Sequence, residues 1–419
     1  MKKFFLVLIL IQFGITALAQ QKYIRCGSSE YMKQKVAKDP GYAVRMQQIE
    51  LQMQDWIATH PKIDEKAIAI TIPVVVHVVW NTNEQNISDA QVESQIDVLN
   101  EDYNRLNADA SLTPSCFDSV AGRMPLYFCL VSRDPIGNWT NGITRTHTNA
   151  TSFSSNIDDV KFDSTGGCNV WNPDYYLNIW VCNMGGGLLG LTQFPGGPPE
   201  TDGPVVLYNA FGRVGNLIPV YNLGRTATHE VGHWMNLIHP WGDDGGACTG
   251  TDYVYDTPNE ANACFSCPSG VLTDNCSGLP CGVMYQDYLD YTEDACMNMF
   301  TKGQVLRMMA ALNGPRSLIL SSNGCTAQTG IYAAYNLRNL NIFPNPANTQ
   351  LTIEIETGKP VDINYSICNA LGSVIYENNA GITKNGKYTI NTESIPSGIY
   401  FLRIKEGEES FNRKVIIIH

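Results

Sequence analysis

The chain runs to 419 residues with 44% hydrophobic, 10% aromatic and 16% charged side chains, a globular profile that excludes a disordered, collagen-like or polytopic membrane protein. Lys and Arg total 28 against 40 Asp and Glu, and the net charge of −12 argues against nucleic acid or an anionic membrane surface as a partner. Thirteen cysteines are too many for an ordinary cytosolic enzyme, and an odd number leaves at least one thiol without an intramolecular partner.

Residues 1–19 combine Lys2 and Lys3, an apolar run from Phe4 to Ile11, and Ala17-Leu18-Ala19, which is the pattern of a secretory signal peptide. The run is too short to span a bilayer and Gln12 interrupts it, so no integral membrane segment is expected in the mature form. Export in turn permits disulfides. Residues 20–66 are polar and helix-friendly, with Met46, Ile49, Met53, Trp56 and Ile57 at helical spacing. The β-branched run AIAITIPVVVHVVW, residues 67–80, reads as a central strand. Ser88 or Asp89 then caps a helix whose apolar face is Val92, Ile96, Leu99 and Tyr103. Strands are expected at 176–182 and 205–208, so strands and helices alternate and the class of residues 67–325 is α/β or α+β. After the helical TKGQVLRMMAALN comes a linker at 326–340, and residues 341–419 alternate apolar with polar between Gly, Asn and Pro turns. Six or seven short strands there predict a small all-β sandwich.

Three of the seven histidines fall inside THEVGHWMNLIH. On a helix His229 and His233 stand one turn apart on one face, so both imidazoles can reach one Zn²⁺, while Glu230 is offset beside them, where it can act as a general base on a water. His239 can join as third ligand only if the chain turns sharply after His233. Three neutral nitrogen ligands leave a fourth position for water, the mark of a catalytic zinc rather than a structural one. The bland reading is a buried helix with incidental histidines.

HEVGHWMNLIH followed by YLDYTEDACMNMF resembles the metzincin metallopeptidases and, within them, the ulilysin-like pappalysins. The likeness spans roughly residues 67–320 and includes GGGLLGLTQFPGG and DGPVVLYNAFG. It implies a metzincin-type catalytic domain with a mixed sheet and an active-site helix, and a secreted zinc endopeptidase as the activity. Asn236 stands where the family usually has glycine, and Asn is the non-glycine residue that best tolerates the left-handed turn needed there. Leu289 replaces the methionine of the turn beneath the zinc at nearly equal volume. By the resemblance Tyr291 hydrogen-bonds the tetrahedral intermediate, and Asp294 lines the pocket for the side chain after the scissile bond, so cleavage before Arg or Lys is expected. GLLGLTQFP resembles the rim strand on which an extended substrate pairs. A structural calcium at Asp252, Thr257 and Glu260 is implied as well, against the alternative of a solvated acidic loop. The family's pattern implies disulfides Cys248–Cys276 and Cys267–Cys296, which leaves Cys264 to Cys281.

Arg25-Cys26-Gly27 resembles the cysteine switch of metzincin zymogens, in which a thiolate takes the fourth position on zinc, and residues 20–66 then form a prodomain. The alternative for Cys26 is a disulfide with another cysteine. The tail, with FPNPA at 343–347 and Gly398-Ile399-Tyr400, resembles the C-terminal sorting domain of type IX secretion. Its implied partner is that secretion machinery, and the product is secreted or surface-attached, acting on polypeptides. A rival reading is a catalytically inactive zinc-containing adhesin on the cell surface. The retained Glu230 argues against it, because a binding site has no use for a base beside its metal.

Overall fold

The computed structural model describes residues 23–62, 70–154, 156–326, 337–369, 373–406 and 409–419. The expected signal peptide, both ends of the expected prodomain and most of the expected linker lie outside these residues. The chain divides into two compact units, one of residues up to Leu130 with Ile143–Ser322, the other of Val131–Gly142 with Asn323–His419.

The first unit opens with two helices, α1 (Ser28–Lys38) and α2 (Pro40–Thr59). Asp39 separates them, its side chain accepting from the Gly41 N–H, with Pro40 at the first helical position where its missing N–H costs nothing. Strand β1 (Ile70–Trp80) is buried almost throughout and pairs in parallel with β2 (Leu126–Leu130), β3 (Ile143–His147) and β4 (Leu177–Cys182). A strand covered on both faces reads as the unbroken apolar run seen in the sequence. Helix α3 (Asp89–Tyr103) is capped by Ser88, whose hydroxyl accepts from Gln91 N–H. Its Val92, Ile96, Leu99 and Tyr103 enter the main core with Ile72, Val74 and Val76 of β1.

Beyond β4 come β5 (Gly190–Thr192) and β6 (Pro204–Leu207). The sheet runs β2-β1-β4-β6-β5, with β5 antiparallel at its edge, so the sheet is mixed. Helix α4 (Arg225–Trp234) lies fully buried beneath β5, and α5 (Lys302–Asn313) closes the unit behind a capping box of Thr301 and Gln304.

The second unit is all-antiparallel: β7 (Leu337–Phe343), β8 (Gln350–Cys368), β9 (Val374–Asn391), β10 (Gly398–Glu406) and β11 (Glu409–Ile417), around a core that includes Leu351, Ile353, Ile363, Ile367, Leu402 and Ile417. Where six or seven short strands were expected, the described residues form five longer ones: residues 350–368 are one strand, because the register shift between Glu356 and Val361 is a bulge and not a reversal.

Candidate active site

Helix α4 ends where the site needs a reversal. Asn236 takes φ +66°, and the Leu237 N–H reaches Gly232 O at 3.0 Å while the Asn236 N–H reaches His233 O at 2.8 Å, a Schellman cap with asparagine in the left-handed position. The turn swings His239 back onto the face that carries His229 and His233. The three Nε2 atoms stand 3.0, 3.1 and 3.4 Å from one another. Each Nδ1 is engaged from behind: His229 donates to Tyr288 O at 2.7 Å, His233 to Leu237 O at 2.8 Å, and His239 meets the Asp243 carboxylate at 3.0 Å. Carbonyl acceptors behind Nδ1 require the proton there for His229 and His233, so their Nε2 lone pairs converge on one point.

That convergence fits zinc. Ligands about 2.0–2.1 Å from a tetrahedral ion lie a little over 3 Å apart, as these nitrogens do. All three rings are buried. Burial drives the His233 pKa down to about 3 and that of His229 well below its ordinary value, with the neighbouring imidazoles adding to the shift. Both are therefore neutral ligands at neutral pH. Cys26 Sγ completes a four-donor group with them, all ligand atoms within 4.8 Å of one another. Burial, and next the Glu230 charge, push the Cys26 thiol up. A buried thiolate beside a carboxylate needs a cation, which this donor set is shaped to hold.

Glu230 is buried and raised to about 7, chiefly by desolvation. Its Oε2 accepts from Thr192 Oγ1 at 2.9 Å and from Ser28 Oγ at 3.1 Å, and Oε1 has no partner. Gly190 is required above it, since a Cβ there would stand 2.7 Å from Oε1. Beneath the metal position Leu289 is wholly buried and packs toward Gly232, an apolar floor without a donor.

The N-terminal segment fills the cleft. Ile24 forms a parallel bridge with Leu188, and the Gly27 N–H donates to Gly190 O at 2.9 Å. The Arg25 guanidinium reaches Asp294 Oδ1 at 2.7 Å with both side chains buried, and lies over the Tyr221 ring. Asp294 Oδ2 accepts from the Leu223 and Arg225 N–H groups, so the carboxylate is fixed at the base of its pocket. Tyr291 OH donates to Cys26 O at 3.4 Å, with its ring against His229 and His239.

The remaining expected residues divide. Thr257 Oγ1 donates to Asp252 Oδ2 at 2.6 Å, whereas Glu260 converges with Cys264 and Asp290, which the sequence reading did not include. Cys248 pairs with Cys276 and Cys267 with Cys296. The Cys264–Cys281 pairing is wrong: Cys281 bonds Cys116, 165 residues away, and Cys264 is a free, buried thiol whose backbone N–H donates to Asp290. Cys26 is also free, which removes the disulfide alternative for it. Sequence reasoning missed Ser28, Thr192 and Asp243 altogether. Only Ser28, two residues past Cys26, carried any positional hint.

Residues 163–313 match the peptidase family described as pregnancy-associated plasma protein-A, and residues 341–418 match the secretion system C-terminal sorting domain. An extracellular metalloprotease of Pyricularia oryzae is 30% identical over 304 residues, covering 70% of this chain and 90% of that protein. The chain belongs to this peptidase family. Among solved pappalysin relatives, mature mirolysin of Tannerella forsythia in complex with a cleaved peptide is 54% identical with a TM-score of 0.61, covering 62% of this chain and 99% of that one. A promirolysin mutant from the same organism is 50% identical with a TM-score of 0.66, over 71% of this chain and 97% of that one. This pappalysin is thus a zinc metallopeptidase made as a zymogen and fitted with a tail for export by type IX secretion. Among the described residues no helix is long and apolar enough to cross a membrane.

Proposed function

We propose that the processed enzyme is a secreted endopeptidase that cuts polypeptides before Arg or Lys and that residues 20–66 hold it latent. The observation that carries this reading is Arg25: a guanidinium from the chain's own N-terminal segment is buried against Asp294 while the next residue, Cys26, faces the three histidines. A substrate Arg or Lys would meet the same carboxylate in the same way. His229, His233 and His239 would hold a zinc ion, which would supply a Lewis acid and lower the pKa of a water. Glu230, raised to about 7 by burial, is placed to take a proton from the attacking water and to return it to the departing amine. Thr192 fixes the carboxylate, and the Tyr291 hydroxyl, now on Cys26 O, is free after processing to donate to the oxyanion. Residues 341–419 act as the sorting module behind a catalytic domain of residues 67–325.

A structural Ca²⁺ is part of the same reading. Glu260 Oε2, Asp287 Oδ2 and Asp290 Oδ2 are buried without a partner. Desolvation raises both Glu260 and Asp290, and the Asp290 and Asp287 charges raise Glu260 further, a state that a hard divalent cation relieves. Removing Ca²⁺ with EGTA, zinc being held constant, is expected to lower the thermal midpoint by several degrees; an unchanged midpoint overturns the calcium assignment.

The test of the function is a proteome-derived peptide library incubated with processed enzyme, with and without a zinc chelator, beside Glu230→Ala. Cuts before Arg or Lys that vanish with chelator and in the variant are expected. Cleavage mainly before Leu or Phe would overturn the specificity, and equal activity in Glu230→Ala would overturn the mechanism.

A further inference from the structure

The prosegment leaves a second acidic contact in the cleft, away from the histidines. Residues 24–28 run in the same direction as 187–192, and α1 then carries Tyr31 and Lys35 to the 3-10 turn Ile157–Lys161. There Tyr31 OH donates to Asp158 Oδ1 at 2.7 Å, and Lys35 Nζ meets Asp158 Oδ2 at 2.7 Å. Lys161 is wholly buried behind them, tied to Thr201 O at 2.6 Å and Gly203 O at 3.2 Å, and stands 3.9 Å from Asp158. Both close partners of Asp158 therefore come from the segment that is lost on activation. Burial alone would raise the Asp158 carboxyl, but Lys161, Lys35 and Tyr31 together hold it below its ordinary range, and Lys161 stays in place when α1 leaves.

We propose that in the processed enzyme Asp158 is a substrate subsite that takes a lysine or arginine side chain on the N-terminal side of the scissile bond. The direction follows from the prosegment. Arg25 lies in the Asp294 pocket, which serves the residue after the cut, and Cys26 faces the histidines, so the residues before the cut extend toward Ser28, Tyr31 and Lys35. The distance follows from the helix. Lys35 lies seven positions beyond Ser28 along α1, about 10 Å, which an extended peptide covers in roughly three residues, so the basic residue falls roughly three to five positions before the scissile bond. This inference rests on the proposed cleavage reading for its direction, and its test reads the two separately.

The experiment uses processed enzyme and matched peptides that share one Arg after the cut and carry Lys or Ala at each of the third to fifth positions before it. One Lys peptide is expected to be cut with a kcat/KM about tenfold above its Ala counterpart, the effect of a single charge-assisted contact. Asp158→Asn is expected to bring that ratio close to one while cleavage stays before Arg. Equal kcat/KM for all pairs in the wild-type enzyme, or a Lys preference that survives Asp158→Asn, overturns the subsite. The wild-type comparison needs no variant. Cuts that fall elsewhere than before Arg would overturn the underlying specificity instead, and they are visible in the same mass spectra.

Discussion

Replacing Arg25 by Ala in the precursor tests how latency is held. In the closed zymogen the Arg25–Asp294 pair is buried on both sides, with side-chain exposures of 1% and 0%. Removing one partner of a buried pair costs about 3–5 kcal/mol, mainly because the other charge is left uncompensated. Asp294 keeps the Leu223 and Arg225 N–H groups on Oδ2, so the low end applies, about 3 kcal/mol. In the open state Asp294 is hydrated and the substitution costs little. The open fraction, and with it the rate of self-processing, is then expected to rise roughly a hundredfold. The assay is a gel time course of precursor conversion at fixed zinc, with Glu230→Ala as the control that cannot cut. Arg25→Lys should fall between the two. A half-life for Arg25→Ala within twofold of wild type would refute the reasoning, because the buried pair would then contribute nothing to closure.

Two further outcomes follow from the geometry. Thr192→Val removes the hydroxyl that holds Glu230 and is expected to lower kcat about tenfold at unchanged KM, with Thr192→Ser restoring it; a Ser variant as slow as Val would contradict a positioning role. His77 is buried, and desolvation lowers its pKa to about 4 from an ordinary 6.5. The unfolded chain takes up this proton below pH 6.5 and the folded one only near 4, so stability present above 6.5 is lost as pH falls, about 3 kcal/mol in all. Urea unfolding of the Glu230→Ala precursor at pH 7 and pH 4.5 should show that loss, and His77→Gln should reduce it; an identical loss in both proteins would contradict the assignment.

The parts of the site that were legible in the sequence are those set by local periodicity. His229, Glu230 and His233 are placed by one helical turn, and Asn236 by the left-handed conformation that a helix C-terminus demands. What was not legible depends on contacts between distant segments. Thr192 meets Glu230 only because the edge strand β5 crosses above α4, and Cys116 meets Cys281 across 165 residues. Helix α1 falls in the stretch read as helix-friendly, and its buried Ser28, Tyr31 and Met32 keep the i, i+3, i+4 spacing of a helix face; what that spacing could not show is that the face docks in the cleft. In the second unit the alternation identified strands, but the bulges between Glu356 and Val361 and near Gly381 carry a strand through where short separate strands were expected.

The central claim is that Cys26 sits on the catalytic zinc until the N-terminal segment is removed. Zinc K-edge X-ray absorption on the intact precursor and on the processed enzyme measures this directly. The precursor is predicted to show one sulfur at about 2.3 Å among nitrogen ligands, and the processed enzyme none. A precursor whose zinc shell holds only nitrogen and oxygen would contradict the account.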